Sequence, residues 1–464
     1  MNAPTKRIDQ AADATRALVR FATGLRYENL AEDERRHVRR HVLDTIGAAL
    51  AGSNQNVCRI ICETFKASGL SGSSVVPGTT SSFDPLSAVY AMATAAHGLE
   101  VDDGYRAGSV HPGAVVVPTA LIFAANEGCD GPTFMVAVAA GYEASTRIAE
   151  AVHPQSRQRG FHNTSVVGPL AAALTLGVLH GQSGDTLEQA LGIAASSSAG
   201  LFAFLHGGGE VKRAHAGHAA REGALAALLA ERGLTGPVGV LTERDGLFQA
   251  FSSPDQAAVR FKISQRPDLL AVTHCYMKPY ACCRHLHPAI DAVRQIVSDH
   301  KLSLSDVSAV DIGTYAIAAE HAHTGWGDMA SAQMSFPFCI GVALAGRSLD
   351  MADFGDAARK DDATLSGARK VRVTVDQTCE ANYPAARSAL VKISTTSGRT
   401  FEQLVDDPYG SSTNPLDDAA VTMKFMRLAS PVLGAARARE AAQAIGKLDG
   451  VVHMGDIAAL LTPN

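Results

Sequence analysis

Residues 36–51 read RHVRRHVLDTIGAALA and are followed by Gly52. The run is amphipathic at its start, rich in Ala, Leu and Val at its end, and stops at a residue suited to closing a helix. The same grammar recurs on both sides. Pro85 to His97 begins with a proline fitted to a first helical turn and halts at Gly98. Further helical segments are predicted at 114–126, 132–152, 165–180, 187–199 and 216–232, so from about residue 8 to 265 helix follows helix. Strand-like alternation is nearly absent here. Only 6% of the chain is aromatic while Ala and Gly are plentiful, a composition that favours helices packed closely through small side chains.

The texture changes after about residue 268. DVSAVDIGTY (306–315), KVRVTVD (370–376) and ALVKISTT (389–396) are β-branched, alternate in polarity and end in turn residues, around helices predicted at 287–300 and 334–345. From Asn414 onward helical pattern returns in VTMKFMRLA and ARAREAAQAIGKL. The fold class predicted is therefore mainly α. A large all-helical domain, residues 1–268 completed by 408–464, carries an inserted, smaller α+β lid domain at 269–407. Two such domains imply a cleft, where small ligands preferentially bind.

At 464 residues the chain exceeds what one core usually supports, and 46% hydrophobic with 19% charged residues describes a globular protein. A formal charge of −5 gives no basic field for a phosphate backbone, so nucleic acid is not an expected partner. The opening MNAPTKRIDQAADATR has no apolar run of the secretory kind, and the apolar stretch 113–125 holds Pro118 and falls short of the roughly 20 residues that a membrane span needs. A soluble cytoplasmic protein is expected. Eight cysteines without regular spacing suggest reduced thiols. Cys58 and Cys62 are four apart, Cys282 and Cys283 are adjacent, and no CxxC occurs; His321 and His323 form an HxH without a third clear ligand, so no metal is expected. The stretch from His206 to Gly209 resembles the oxyanion loop of esterases, but no GxSxG elbow accompanies it, and no GxxxxGK[ST] or complete GxGxxG supports nucleotide binding.

One local arrangement recurs: a loop bearing His or Lys directly before an apolar helix. It occurs in GLEVDDGYRAGSVHPGAVVVP, RGFHNTSVVGPLAAALTLG, EVKRAHAGHAAREGALAALL and, more loosely, MKPYACCRHLHPAIDAVRQIV. Helix N-termini carry unpaired N–H groups and a partial positive charge, so His and Lys there make an anion trap. In the first loop Glu100, Asp102 and Asp103 stand close to His111, and acids beside an imidazole can divide acid and base duties; the plainer alternative is a surface turn. His97 reads as a packing histidine at a helix end. His162 precedes Asn163, Thr164 and Ser165, all competent caps. Lys212 and His215 precede a strongly helical run, and Lys278, held extended by Pro279, is followed by Arg284, His285 and His287.

Together, LDTIGAALAG, HGLEVDDGYRAGSVHPGAVVVP, RGFHNTSVVG, KRAHAGHAAREG, KPYACCRHLHPAIDA and NPLDDAAVTMKF, in this order, resemble the MmgE/PrpD family through nearly the whole chain. The resemblance implies a helical body with an α+β lid, a site between them, a homodimer, and neither metal nor organic cofactor. It also implies a small di- or tricarboxylate substrate, since the family includes 2-methylcitrate dehydratase, cis-aconitate decarboxylase and iminodisuccinate epimerase. By similarity Asp102, Asp103, His111, His162, Lys212 and Lys278 fall at the family's active-site positions. Against the decarboxylase pattern, Glu100 stands for an aspartate, Gly104 for a threonine, Phe338 for a tyrosine and Cys283 for a histidine, which points to dehydration or epimerisation. In the mechanism so implied, Lys212, Lys278 and Arg284, with Asp103 and His215 as further substrate contacts, hold the carboxylates. His162 or the Asp102 loop takes the α-proton and His111 serves as the acid. A non-catalytic polycarboxylate-binding homologue is the reading from another class.

Overall fold

The computed structural model describes residues 14–204, 209–263 and 270–463. The chain divides into two compact units: Met1–Gly98 with Asp102–Tyr276 and Asp417–Asn464, and Leu99–Val101 with Met277–Leu416. Residues 1–13, the 206–208 part of the oxyanion-like stretch and the boundary placed at 268/269 lie outside the described residues.

The first unit is a stack of helices: α1 (Glu32–Ser53), α2 (Pro85–Ala96), α3 (Gly113–Glu127), α4 (Gly131–Val152), α5 (Asn163–Leu179), α6 (Gly184–Ala195) and α7 (Val211–Glu231). Their starts are set by capping. Asp84 accepts from Ser87 N with Pro85 in the first turn of α2, and Asp130 and Ser183 cap α4 and α6 in the same way. α5 is buried along nearly its whole length, flanked by α4, α6 and α7. That position explains an apolar helix with no polar face. Small residues bring the backbones together: a Cβ on Gly52 would lie 1.9 Å from Ala95 O, and one on Gly223 would lie 2.2 Å from Pro169 O. Any larger residue there would force the helices apart.

In this unit three details depart from the sequence-based expectation. The helical unit also carries a two-stranded ribbon, β1 (Ser74–Val75) antiparallel to β2 (Ser82–Phe83). α7 begins at Val211 rather than 216, so Lys212 and His215 lie inside the helix and not in a loop before it. The division between units follows Tyr276, because Leu270 N and Ala271 N donate to the buried carboxylates of Glu34 on α1 and Glu143 on α4 and so tie this segment to the helices.

The second unit holds α8 (His287–Asp299), β3 (Val307–Thr314), α9 (Phe336–Leu344), β4 (Val371–Val375), β5 (Ala389–Thr395) and β6 (Thr400–Val405). The sheet order is β4-β3-β5-β6, with β3/β4 parallel and the other pairs antiparallel. β6 was not predicted. Ile312 pairs with Val373 and Val391, and Val310, Ile312, Val391 and Ile393 are all buried. Asp311 faces Lys392 on the opposite side of the sheet. α8 covers β5 and β6, and α9 packs on β4. Residues 408–416, placed by the sequence with the helical domain, belong to this unit, where Arg284 fastens Pro408, Tyr409 and Ser411.

The chain then returns to the first unit as α10 (Asp418–Leu433) and α11 (Ala435–Ile445). α10 lies on α1: the Lys424 ammonium meets Asp44 at 2.5 Å, and Phe425 closes over Gly47. Burial raises the Asp44 carboxyl, and Lys424 works against that rise. Among the described residues no helix is long and apolar enough to cross a membrane.

Candidate active site

The acid loop between α2 and α3 is held by its backbone. Glu100 and Ser109 adopt left-handed conformations (φ 56° and 48°), and bridges join Gly104 to Tyr276 and Tyr105 to Val110. Non-glycine residues in that region are sparsely populated and mark a segment that the surroundings over-determine. Gly104 leaves room for a neighbour, since a Cβ there would lie 2.3 Å from the Tyr276 hydroxyl. The pinned loop turns its two adjacent acids to different tasks.

Asp103 is buried and committed to the fold. Its Oδ2 accepts from Tyr142 on α4 (2.6 Å) and meets His41 Nδ1 on α1 (2.8 Å), while Oδ1 accepts from Gly113 N at the start of α3 (3.0 Å). Burial, then the Asp103 charge, pushes the Tyr142 phenol well up, so it stays a donor. Asp103, expected from the sequence as a substrate contact, has its carboxylate engaged by groups from three helices.

Asp102 faces the histidines. Its Oδ2 lies 2.7 Å from His97 Nδ1 and 3.2 Å from His111 Nδ1. His111 Nδ1 also sits 2.6 Å from the Asp103 carbonyl, and its backbone N–H donates to Thr164 Oγ1. A carbonyl can only accept, so Nδ1 carries the proton and Nε2 is the working nitrogen. His97, read from sequence as a packing residue, stands at the centre: its ring stacks on His162 at 5.6 Å and lies 5.0 Å from that of His111. His162 caps the start of α5, and its Nδ1 meets His215 Nδ1 of α7 at 3.0 Å. Phe202 and Phe204 present ring edges to it.

Burial disfavours the imidazolium of His97, His162 and His215. It lowers His97 to about 4, helped by Lys212 and His111 and opposed by Asp102, and it holds His162 well below the usual range together with the charges on His97 and His215. His215 is likewise lowered to about 4 by burial, His97, His218 and Lys212. Lys212, in the first turn of α7, is thus close enough to act on both His97 and His215. His97 Nε2 and Ser165 Oγ are buried without a hydrogen-bond partner among the described residues. Of the residues singled out from sequence, Asp102, His111, His162, Lys212 and His215 come together in this one unit.

Lys278 and Arg284 stand in the second unit. Lys278 is 1% exposed and pairs with Glu100 Oε2 at 3.1 Å. Arg284 is not presented as a carboxylate clamp: its guanidinium donates to Tyr409 O (2.8 Å), Pro408 O (3.0 Å) and Ser411 Oγ (2.9 Å) and meets His287 Nδ1 (2.9 Å). The HxH pair divides, with His323 Nε2 bonded to Ser331 O and His321 Nε2 lying 4.0 Å from Cys283 Sγ. Burial opposes the Cys283 thiolate, but His321 and Lys278 outweigh it and bring the thiol to about 6.

Residues 16–260 match the MmgE/PrpD N-terminal domain and residues 280–449 the MmgE/PrpD C-terminal domain. The chain is 24% identical to "Cis-aconitate decarboxylase" of Aspergillus terreus over 474 residues, covering 96% of this chain and 95% of that protein. It is 27% identical to the Mus musculus protein of the same name (88% and 85% covered) and 31% identical to the Homo sapiens one over 240 residues (50% and 49%). With both domains matched in order along one chain, this protein belongs to the MmgE/PrpD family.

Proposed function

We propose that the protein is a lyase that transfers a proton at the carbon next to a carboxylate of a small di- or tricarboxylate, using its own side chains. The observation that carries this reading is the pair of unlike histidines flanking His97: His162, buried and held neutral, and His111, anchored by Nδ1 on two oxygens. Unlike environments for like groups are how one site supplies both a base and an acid. With its Nδ1–H donated to His215 Nδ1, His162 offers a bare Nε2 to take the α-proton. His111 enters the step as the imidazolium, its Nδ1–H held by the Asp103 carbonyl and Asp102, and gives its Nε2 proton to the departing hydroxyl, ending neutral as His162 becomes charged. The C–O bond breaks, the alkene forms and water leaves, so atoms and charge balance. Lys212 offsets the negative charge that builds up on the substrate carboxylate, where preorganised cations act most strongly. The buried His97 Nε2 and Ser165 Oγ, lacking protein partners among the described residues, support a ligand at this place.

Dehydration is the first reading. Decarboxylation is the second, favoured by the name that the fungal and mammalian relatives carry, and epimerisation uses the same two proton transfers. The test is incubation with citrate, methylcitrate, aconitates and substituted succinates in heavy water, followed by NMR and mass spectrometry. Loss of water with a new vinylic signal supports the dehydratase, loss of carbon dioxide the decarboxylase, and deuterium uptake at constant skeleton the epimerase. Binding without turnover or exchange on every compound leaves a non-catalytic binder and overturns the proposal.

A further inference from the structure

Among the described residues, two groups of three metal-ligating side chains have their ligand atoms within 4.8 Å of one another: His97–Asp102–His111 and Cys283–His285–His321. They differ in spacing. The first is already closed by hydrogen bonds of 2.7 and 3.2 Å to one carboxylate oxygen, whereas two ligands of a tetrahedral ion at about 2.0 Å stand about 3.3 Å apart. It is a proton site. In the second group Cys283 Sγ and His321 Nε2 are 4.0 Å apart. A zinc-bound sulfur at about 2.3 Å and nitrogen at about 2.0 Å stand roughly 3.5 Å apart, so a shift of about half an ångström brings this pair to ligating separation, with the His285 ligand atom within 4.8 Å of both.

We propose that Cys283, His285 and His321 bind a thiophilic divalent cation, Zn²⁺ first, with water in the fourth position. One thiolate and two imidazoles are the donor set that selects such an ion over Mg²⁺ or Ca²⁺. The ligands are held from behind, as ligating histidines usually are. The buried Tyr315 hydroxyl holds His285 through Nδ1, and Tyr315 in turn stacks on Tyr383 at 4.7 Å. The His321 ring hydrogen-bonds the Met334 backbone, while Cys283 N donates to Gln333 O and Phe336 N to His321 O. Of the cations beside the site, Lys278 acts on Cys283 but is paired with Glu100, and Arg284 donates to Pro408, Tyr409 and Ser411. This assignment does not rest on the proposed reaction, whose proton transfers run through the first unit.

The experiment uses the full chain, stripped with a chelator and titrated with Co²⁺ alone. The proposal expects a thiolate-to-cobalt charge-transfer band and intense four-coordinate d–d bands that saturate at one ion per chain and vanish on adding Zn²⁺. Cys283→Ser and His321→Gln each lower the affinity by more than about 100-fold, beyond what loss of an outer partner produces, while Cys129→Ser keeps it. Circular dichroism checks the variants; should Cys283→Ser not fold, His321→Gln and the wild-type stoichiometry still decide. A wild-type chain without the thiolate band, or variants that bind like wild type, overturns the assignment. So does rapid alkylation of Cys283 with no cobalt spectrum, which marks a reactive thiol instead. Turnover by the metal-free chain is measured separately, so failure here and failure of the lyase reading are distinguishable.

Discussion

The two units each gather histidines, and they treat them oppositely. In the first, His97, His162 and His215 face one another behind aromatic edges, and burial drives all three toward the neutral form. In the second, His321 is half-buried, and burial there is outweighed by the Cys283 beside it, which raises its proton affinity. Burial alone therefore does not set the charge of a histidine; the partner at contact distance does. The acids repeat the lesson. Asp102 and Asp103 are neighbours in sequence, and one orients imidazoles while the other fastens three helices.

The sharpest way to break this contrast is at the neutral base. His162→Asn is expected to lower kcat by about 10²–10⁴-fold, the usual worth of a positioned proton-transfer group, with little change in melting temperature. Initial rates on the substrate found in the heavy-water panel check it, and a rate close to wild type removes His162 from the chemistry. Asp103→Ala strips His41, Tyr142 and Gly113 N of their shared acceptor and should cost about 3–5 kcal/mol in urea unfolding. A variant as stable as wild type would show that the carboxylate does not fasten the helices. The third test is pH. His97 falls from 6.5 to about 4 on folding, so the unfolded chain takes up protons that the native state refuses as pH drops from about 6.5 to about 4. Stability attributable to His97 is full above that window and declines across it by roughly 3 kcal/mol, and His97→Gln should flatten the decline in urea titrations at stepped pH. The smallest effect belongs to Arg284. Arg284→Lys is expected to lower stability by about 1–3 kcal/mol and leave KM unchanged; a large rise in KM at unchanged stability would return Arg284 to the substrate.

Much of this fold is legible in the sequence because helix signals are local. Pro85 and Asp84 fix the start of α2 within four residues, and the apolar run of α5 announces a buried helix. β6 escaped because TFEQLV is short and lacks clean alternation: Leu404 is exposed while Gln403 shares the half-buried face with Phe401 and Val405. α7 begins early, at Val211, where the charged VKR gives no apolar signal. The site was legible as a set of loops but not as a geometry. Nothing local distinguishes Asp102, which meets His97 and His111, from Asp103, which meets His41 and Tyr142; the loop that carries both has left-handed turns at Glu100 and Ser109 that sequence pattern does not reveal. His97 looks like any helix-end histidine until α5 brings His162 against it, and Cys283 and His321 are 38 positions apart.

The way α10 seats on α1 governs how the protein can be cut. The match to the N-terminal family domain ends at residue 260, which invites expression of that portion by itself. Such a fragment would strip Asp44 of the Lys424 ammonium and Gly47 of Phe425, baring a buried acid and an apolar groove on the helix that bears His41. A helical body meant to stand alone has to include residues 417–464, spliced through a short linker in place of the second unit.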